Sequence, residues 1–170
     1  KVFGRIDEIM DKIKIGLIGT GSISKEHLNA YKKNPNVEIY ALCDINEKVL
    51  AERAQEYGVT RTFLDYSEML ALKEIDAVSV CTWNSAHAPC AIAALNSGKH
   101  VLCEKPMAIN AEQAREVQAA AEKNGKLLMI GFVRRFGNDC DILKDLISQD
   151  AFGEIYYAKA TYLRRKGNPG

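Results

Sequence analysis

Residues 13–24 read IKIGLIGTGSIS, and this stretch decides the fold. A short β-branched run at 13–18 leads into a glycine turn, and a helical pattern follows to about residue 33. Gly19 suits the tight turn, Gly21 allows close backbone approach to a pyrophosphate, and Ser24 replaces the usual third glycine. The helix N-terminus offers free N–H groups and a positive dipole end to that anion. An ordinary strand-to-helix turn is the alternative, but the position in the first βα unit favours a cofactor site. The predicted binding residues of this turn are Gly19, Gly21, Ser22 and Ile23.

Short apolar runs and helical stretches alternate along the rest of the chain. We predict strands at 13–18, 37–43, 62–63, 77–81, 100–103 and 127–132, with a last strand at 155–163. Helices are predicted at 24–33, 47–57, 65–72, 86–97, 110–124 and 141–148, with Asn46, Asp65 and Asn110 as caps. Strands that alternate with helices imply right-handed βαβ units. The predicted fold class is therefore α/β, a doubly wound parallel sheet of strand order 3-2-1-4-5-6.

Ligands on such a sheet bind beyond the carboxyl ends of the strands, so the residues that follow each strand are candidate site residues. Asp44 follows the second strand. Its carboxylate is suited to accept both ribose hydroxyls of an adenosine and to repel a 2′-phosphate. No arginine follows directly, which favours NAD over NADP as the cofactor. The alternative is that Asp44 is a cap or turn residue, although Asn46 is the better-placed cap.

The fourth strand is followed by residues 82–87, which read TWNSAH. Asn84 is suited to cap the next helix or to bond ribose or carboxamide groups. Trp83 is either a half-buried aromatic or a wall of the cofactor cleft. His87, in the first turn of the helix, is either a structural histidine or part of that cleft. The predicted cofactor-binding residues of this segment are Thr82, Trp83, Asn84 and His87.

The fifth strand is followed by residues 103–106, which read CEKP. A lysine at the carboxyl edge of a central strand points into the cleft. Lys105 is therefore suited to donate a hydrogen bond to a reacting hydroxyl oxygen. The alternative is a structural pair of Glu104 and Lys105 ahead of Pro106, which sets a turn. On these residues alone the structural interpretation is the stronger one.

Composition and charge exclude several classes of protein. The chain has 23 Lys+Arg and 22 Asp+Glu, a formal net charge of +1, so it lacks the basic footprint of a nucleic-acid binder. No apolar run is long enough to span a membrane, and acidic residues interrupt any N-terminal signal sequence. The 5 cysteines form no C-x-x-C pair, which predicts no metal site and no disulfide framework. We expect a protein of the reducing cytoplasm.

Taken together, these motifs resemble the glucose-fructose oxidoreductase / inositol dehydrogenase family of nicotinamide-dependent sugar and polyol oxidoreductases. The segments that carry the resemblance are 19–24, 82–84 with His87, GKHV at 98–101 leading into EKP at 104–106, and GFVRRF at 131–136. The resemblance implies that Lys105 binds the substrate oxygen and joins the proton relay, while Glu104 sits against Lys105 and the ribose. It also implies that Asn84 and His87 line the nicotinamide end, and that Arg135 binds substrate hydroxyls or cofactor phosphates. The expected substrate is a small sugar or polyol.

The resemblance also implies a division of the chain. Residues 13–150 are predicted to form the dinucleotide-binding Rossmann domain, and residues 151–170 to begin a second domain that supplies the acid/base histidine. This chain is then the cofactor-binding half of a protein that forms a homo-oligomer at full length. Trp83 departs from the family pattern, which usually has proline there.

Two other functions remain open on the sequence. A non-catalytic dinucleotide-sensing module shares this architecture, because function resides in the site and not in the fold. A sensor has no need of a lysine in the cleft, so Lys105 distinguishes it from an enzyme. A methyltransferase also uses an acidic residue after the second strand, but its glycine turn differs and its chemistry does not require the EKP segment.

Overall fold

The computed structural model describes residues 12–163 and 165. These residues divide into two units, those up to Phe132 and those from Val133 onwards. The first unit contains the strands β1 (Ile13–Ile18), β2 (Val37–Cys43), β3 (Thr62–Phe63), β4 (Ala77–Val80), β5 (His100–Cys103) and β6 (Leu128–Ile130). Its helices are α1 (Ser24–Lys33), α2 (Glu47–Tyr57), α3 (Tyr66–Leu70), α4 (Asn84–Asn96) and α5 (Ala111–Asn124). The second unit contains a 3₁₀ helix, Val133–Phe136, and α6 (Asn138–Ser148).

The six strands form one parallel sheet in the order β3-β2-β1-β4-β5-β6, which confirms the predicted topology. Their register aligns the carboxyl ends. Ile18 lies opposite both Cys43 and Val80, and Val80 lies opposite Cys103. The residues that follow β1, β2, β4 and β5 therefore emerge side by side along one edge of the sheet.

Side-chain caps and glycines set the helix ends, largely as predicted. The side chains of Asn46, Asp65 and Asn110 accept hydrogen bonds from the first turns of α2, α3 and α5. Gly58 and Gly125 end α2 and α5 in the left-handed conformation, which glycine adopts without strain. The helix predicted from residue 86 begins at Asn84. Its N-cap is Trp83, and no side chain caps it, so of the two roles left open for Asn84 the capping role is not found.

The core lies on both faces of the sheet. One buried cluster joins β4 and β5 to α4 and α5, and a second joins Leu17 and Leu42 to Leu28 and Leu50 of α1 and α2. The four cysteines of the first unit are buried and free, as expected of small apolar residues in a core. Among the described residues, no helix has the length and apolar character needed to cross a membrane.

The strand predicted at 155–163 is absent from the second unit, where these residues have no regular structure. The alternating apolar residues Ile155, Tyr157 and Leu163 are all exposed. A strand requires a neighbouring strand to pair its backbone groups, and the described residues of this unit contain none. Alternation of apolar residues was therefore not sufficient to predict a strand at 155–163. Residues 164 and 166–170, the end of the predicted second-domain segment, lie outside the described residues.

Candidate functional site

The glycine turn is wedged between the ends of two strands. The N–H of Gly19 donates to the carbonyl of Cys43, 2.8 Å away. Gly19 has φ +91°, and a Cβ there would lie 2.7 Å from the backbone carbonyl atoms of Cys81. Both the left-handed backbone and this contact exclude a side chain. The tight turn predicted here therefore requires glycine at position 19, because the chain packs closely against the ends of the neighbouring strands.

The rest of the turn is open to solvent. Gly21, Ser22 and Ile23 are exposed, and a Cβ at Gly21 would have no heavy atom within 4 Å. Ser24 is fully buried, and its hydroxyl donates to the carbonyl of Gly21 at 2.6 Å. No side chain caps α1, and the N–H groups of Lys25 and Glu26 donate to the carbonyls of Ser22 and Ile23 at 3.3 and 3.1 Å, so the positive end of the helix dipole lies at this open turn. These features fit a phosphate group, and the binding of a pyrophosphate at this turn stays a prediction.

Asp44 is fixed in position by the turn residue Thr20. The Oδ2 atom of Asp44 accepts from the backbone N of Thr20 at 2.6 Å and from its hydroxyl at 3.0 Å. The Oδ1 atom accepts from the backbone N of Asn46 at 2.8 Å. A carboxylate has about four lone-pair sites, so the partly exposed Asp44 keeps capacity for a further donor. Thr20 is fully buried and was not identified from the sequence.

A buried arginine, Arg53 of α2, holds the same turn through a hydrogen bond. The Nε of Arg53 donates to the carbonyl of Thr20 at 3.2 Å, and its guanidinium pairs with Glu56. Glu56 also pairs with Lys25 of α1 at 3.4 Å. Arg53 is thus engaged with protein groups close to Asp44. This arrangement agrees with the preference for NAD, because binding a 2′-phosphate would require a free cation.

The segment after β4 separates into exposed and buried residues. Trp83 is 80 % exposed, and Asn84 is exposed beside it. His87 is 1 % exposed, and its Nδ1 and Nε2 lie 2.6 and 3.0 Å from the carbonyl oxygens of Pro106 and Thr82. Carbonyls only accept and a neutral imidazole carries one N–H, so the ring donates to one of these carbonyls; through the two contacts His87 acts as a clamp that joins the segments after β4 and β5. This contact is the structural alternative that the sequence left open.

Glu104 and Lys105 diverge at the end of β5. Glu104 is buried, with Oε1 2.9 Å from the Nε2 of His27 in α1. Its Oε2 accepts the backbone N–H of Lys105 at 3.2 Å. The Lys105 side chain is exposed, and its ammonium group pairs with no carboxylate in the described part of the chain. The expected pairing of Glu104 with the lysine is therefore made through the backbone, and the ammonium stays available.

The contact of His27 with Glu104 was also missed. A weak signal was present, since Ser24, His27, Leu28 and Tyr31 have the spacing of one helix face. Two of these residues, Ser24 and Leu28, are fully buried. The hydroxyl of Tyr31 hydrogen-bonds Ser79 of β4. The inner face of α1 therefore carries polar side chains that contact the sheet.

Buried cysteines stand directly behind the site. Cys43, Cys81 and Cys103 immediately precede Asp44, Thr82 and Glu104 in the chain. Burial raises the pKa of Cys43 and of Cys103 to about 12, and it raises the pKa of Cys81 as well. These thiols stay protonated near neutral pH, so they are not nucleophiles. No group of three or more His, Cys, Asp or Glu able to hold a metal occurs among residues 12–163 and 165.

Arg135 belongs to the second unit. It lies exposed in the 3₁₀ helix Val133–Phe136, and its carbonyl accepts from Nζ of Lys144 at 3.1 Å. Its contact with substrate hydroxyls or cofactor phosphates stays a prediction.

The chain is similar to known dehydrogenases. Residues 13–132 match the sequence profile of GFO_IDH_MocA, described as "Oxidoreductase family, NAD-binding Rossmann fold". The chain is 37% identical to D-glucoside 3-dehydrogenase of Escherichia coli K12 over 159 residues, which cover 93% of this chain and 45% of that protein. This chain thus spans less than half the length of that curated relative.

Two solved structures are also similar. The scyllo-inositol dehydrogenase of Lactobacillus casei, with bound NAD(H) and scyllo-inositol, matches with a TM-score of 0.78 and 30% identity over 85% of this chain and 43% of its own. The WlbA dehydrogenase of Bordetella pertussis, in complex with NADH and UDP-GlcNAcA, matches with a TM-score of 0.81 and 34% identity over 85% of this chain and 44% of its own.

Proposed function

The chain belongs to the GFO_IDH_MocA oxidoreductase family with its NAD-binding Rossmann fold, and on that premise we propose that the whole protein is an NAD-dependent dehydrogenase of a sugar or polyol. The relatives named above act on a glucoside and on an inositol, which supports this substrate class. The chain spans less than half of these relatives, so the proposal concerns the protein that contains it. Residues 13–150 are proposed as its cofactor domain, with a second domain from 151 and assembly as a homo-oligomer.

The residues that hold the dinucleotide are proposed to come from three strand ends. The open turn at Gly21, Ser22 and Ile23, with the uncapped end of α1, binds the pyrophosphate. Asp44 accepts the adenosine ribose hydroxyls, held in place by Thr20. Thr82, Trp83 and Asn84 bind the nicotinamide end, for which the exposure of Trp83 and Asn84 and the partial exposure of Thr82 suit them, and His87 positions that segment. When bound, NAD supplies the hydride acceptor of the reaction.

Lys105 is proposed as the catalytic residue of this chain. Its ammonium group extends from the carboxyl edge of the sheet, two residues beyond the end of β5. It donates a hydrogen bond to the substrate oxygen and stabilises the charge that develops there, while the hydroxyl proton passes to the acid/base histidine expected in the second domain as the carbon is oxidised. The observation that carries the proposal is the division at β5. The acidic neighbour Glu104 is bound to His27, while the exposed lysine has no partner among the described carboxylates.

The test is an oxidation assay of the whole protein with NAD⁺ against myo-inositol, scyllo-inositol and D-glucosides. We expect Lys105→Ala to lower kcat by about 10²- to 10⁴-fold and to leave the Kd for NAD⁺ almost unchanged. Lys123→Ala, which removes an exposed lysine of α5, is the matched control and retains full activity. Tight NAD⁺ binding without oxidation of any of these compounds would favour a dinucleotide sensor instead.

A further inference from the structure

A buried acid–histidine pair connects α1 to the end of β5. His27 and Glu104 are each about one-tenth exposed, and their Nε2 and Oε1 atoms are 2.9 Å apart. A carboxylate only accepts, so His27 donates in this bond. Burial of a carboxylate is costly unless it is hydrogen-bonded, and removal of one partner leaves the other unsatisfied. Glu104 therefore depends on His27 for its position.

The same carboxylate also holds the backbone at Lys105. Its Oε2 accepts the N–H of Lys105 at 3.2 Å. Gly131 confines it from another side, since a Cβ at Gly131 would lie 3.1 Å from Oε1 and 3.3 Å from Cδ of Glu104. With donors on both oxygens and backbone close behind, the carboxylate has one well-defined position. That position determines where the chain leaves β5 towards Lys105.

The other end of this connection is the glycine turn. His27 lies in the first turn of α1, three residues after Ser24, whose hydroxyl donates to the carbonyl of Gly21. The helix that presents its N-terminus to the phosphate site thus also carries the partner of Glu104. One continuous set of contacts runs from Gly21 through α1, His27 and Glu104 to Lys105. It fixes the separation between the dinucleotide turn and the lysine.

We propose that His27 is a positioning residue, which acts through Glu104 to place Lys105 relative to the bound dinucleotide. The inference rests on the proposed function, because it concerns the geometry in which Lys105 meets the substrate. Displacement of a reacting group by about 1 Å lowers a rate by roughly 100-fold. Binding of NAD⁺ depends mainly on the turn and Asp44, whereas the hydrogen bond of the His27 side chain in the described part of the chain goes to Glu104. Loss of His27 therefore affects kcat more than NAD⁺ affinity.

The experiment compares three variants of the whole protein. His27→Leu keeps much of the volume but removes the donor, and His27→Gln restores an amide donor. Tyr31→Phe is the matched control, because it removes the hydroxyl bonded to Ser79 from the same helix face and leaves the pair of His27 and Glu104 intact. Each variant is measured for kcat, KM and Kd for NAD⁺, and for hydrogen exchange at the Lys105 amide.

We expect His27→Leu to lower kcat by about 10- to 100-fold, with the Kd for NAD⁺ within roughly threefold of the wild-type value. The Lys105 amide should exchange faster in this variant. His27→Gln should recover most of both properties, and Tyr31→Phe should match the wild type. Unchanged kcat in His27→Leu, or an equal loss in Tyr31→Phe, would overturn the inference. If the wild-type protein oxidises none of the substrates, the proposed function fails, and the exchange of the Lys105 amide still decides whether His27 positions that residue.

Discussion

The two halves of the candidate site are built by different means. Around Asp44 the carboxylate is held by the backbone N–H and hydroxyl of Thr20, which lies in the glycine turn 24 positions away, and by the backbone N–H of Asn46 two residues along. Around Lys105 the chain is held by side chains of two helices. His27 of α1 reaches Glu104 across 77 positions of sequence, and His87 of α4 reaches Pro106 across 19. We call the part around Asp44, proposed to bind the dinucleotide, the dinucleotide half, and the part around Lys105 the reaction half. The first is held mainly by groups of the glycine turn, whereas the second depends on histidine side chains of α1 and α4.

This difference affects how the two halves should respond to substitution. A change in the dinucleotide half alters one turn and the ligand group that it binds. A change at His27 or His87 leaves a polar group without its partner. It also shifts the segment after β5, which the substituted residue positions without contacting the ligand itself.

The largest effect is expected from the two glycines of the turn, which have separate tasks. Gly19→Ala places a Cβ 2.7 Å from the backbone of Cys81 at φ +91°. We expect it to lower the free energy of unfolding by about 3 to 5 kcal/mol. Gly21→Ala meets no atom within 4 Å, so its stability should change by less than about 0.5 kcal/mol. Urea unfolding measures both variants.

Binding separates the same two variants in the opposite sense. Gly21→Ala should weaken the binding of NAD⁺, measured by calorimetric titration, because the new methyl group would occupy the space through which the phosphate is proposed to approach the backbone. An intact NAD⁺ affinity in a folded Gly21→Ala protein would show that the pyrophosphate does not lie over this residue. The proposal that this turn binds the dinucleotide would then be wrong.

The second effect concerns the clamp at His87. His87→Leu preserves much of the volume but removes both contacts to the carbonyls of Pro106 and Thr82. We expect a loss of about 1 to 3 kcal/mol of stability, since the carbonyl that loses its donor is left unsatisfied in a partly buried position. His100→Leu is the control, because it loses one contact, from the Leu127 N–H, at the opposite edge of the sheet. Equal losses in the two variants, measured by urea unfolding, would argue against a special clamp.

The contrast also explains what could be predicted from the sequence. The strand order, the caps at Asn46 and Asn110 and the turn at Gly19 follow from local patterns, and the structure confirms them. The partners of His27 and His87 depend on which helix face meets which strand end, and spacing along the chain does not specify this. The strand predicted at 155–163 was wrong for a related reason. Alternation describes a side-chain pattern, but a strand exists only where another strand pairs with it.

The third effect is on cofactor choice. Asp44→Asn removes the negative charge that we propose faces the ribose, and we expect the affinity for NADP⁺ relative to NAD⁺ to rise about tenfold. The control is Asp65→Asn. Asp65 also follows a strand, but it caps α3 by accepting from the Ser67 N–H at 2.8 Å. Asp65→Asn should lower the free energy of unfolding by about 1 kcal/mol or less and leave the cofactor preference unchanged. Calorimetric titration with both dinucleotides distinguishes the two aspartates.

The smallest effect tests whether the dinucleotide half needs a side chain other than that of Asp44. Thr20→Val keeps the shape of a fully buried side chain and retains the backbone N–H bond to Asp44. It removes only the hydroxyl bond of 3.0 Å to the same oxygen. One hydrogen bond contributes about 1 kcal/mol, so we expect NAD⁺ to bind about fivefold more weakly. A calorimetric titration beside Asp44→Asn measures this difference. If the affinity is unchanged, the backbone alone positions Asp44, and the glycine turn together with the aspartate is sufficient to describe this half of the site. A loss as large as that of Asp44→Asn would instead mean that the dinucleotide half, like the reaction half, depends on a buried side chain that the motif does not reveal.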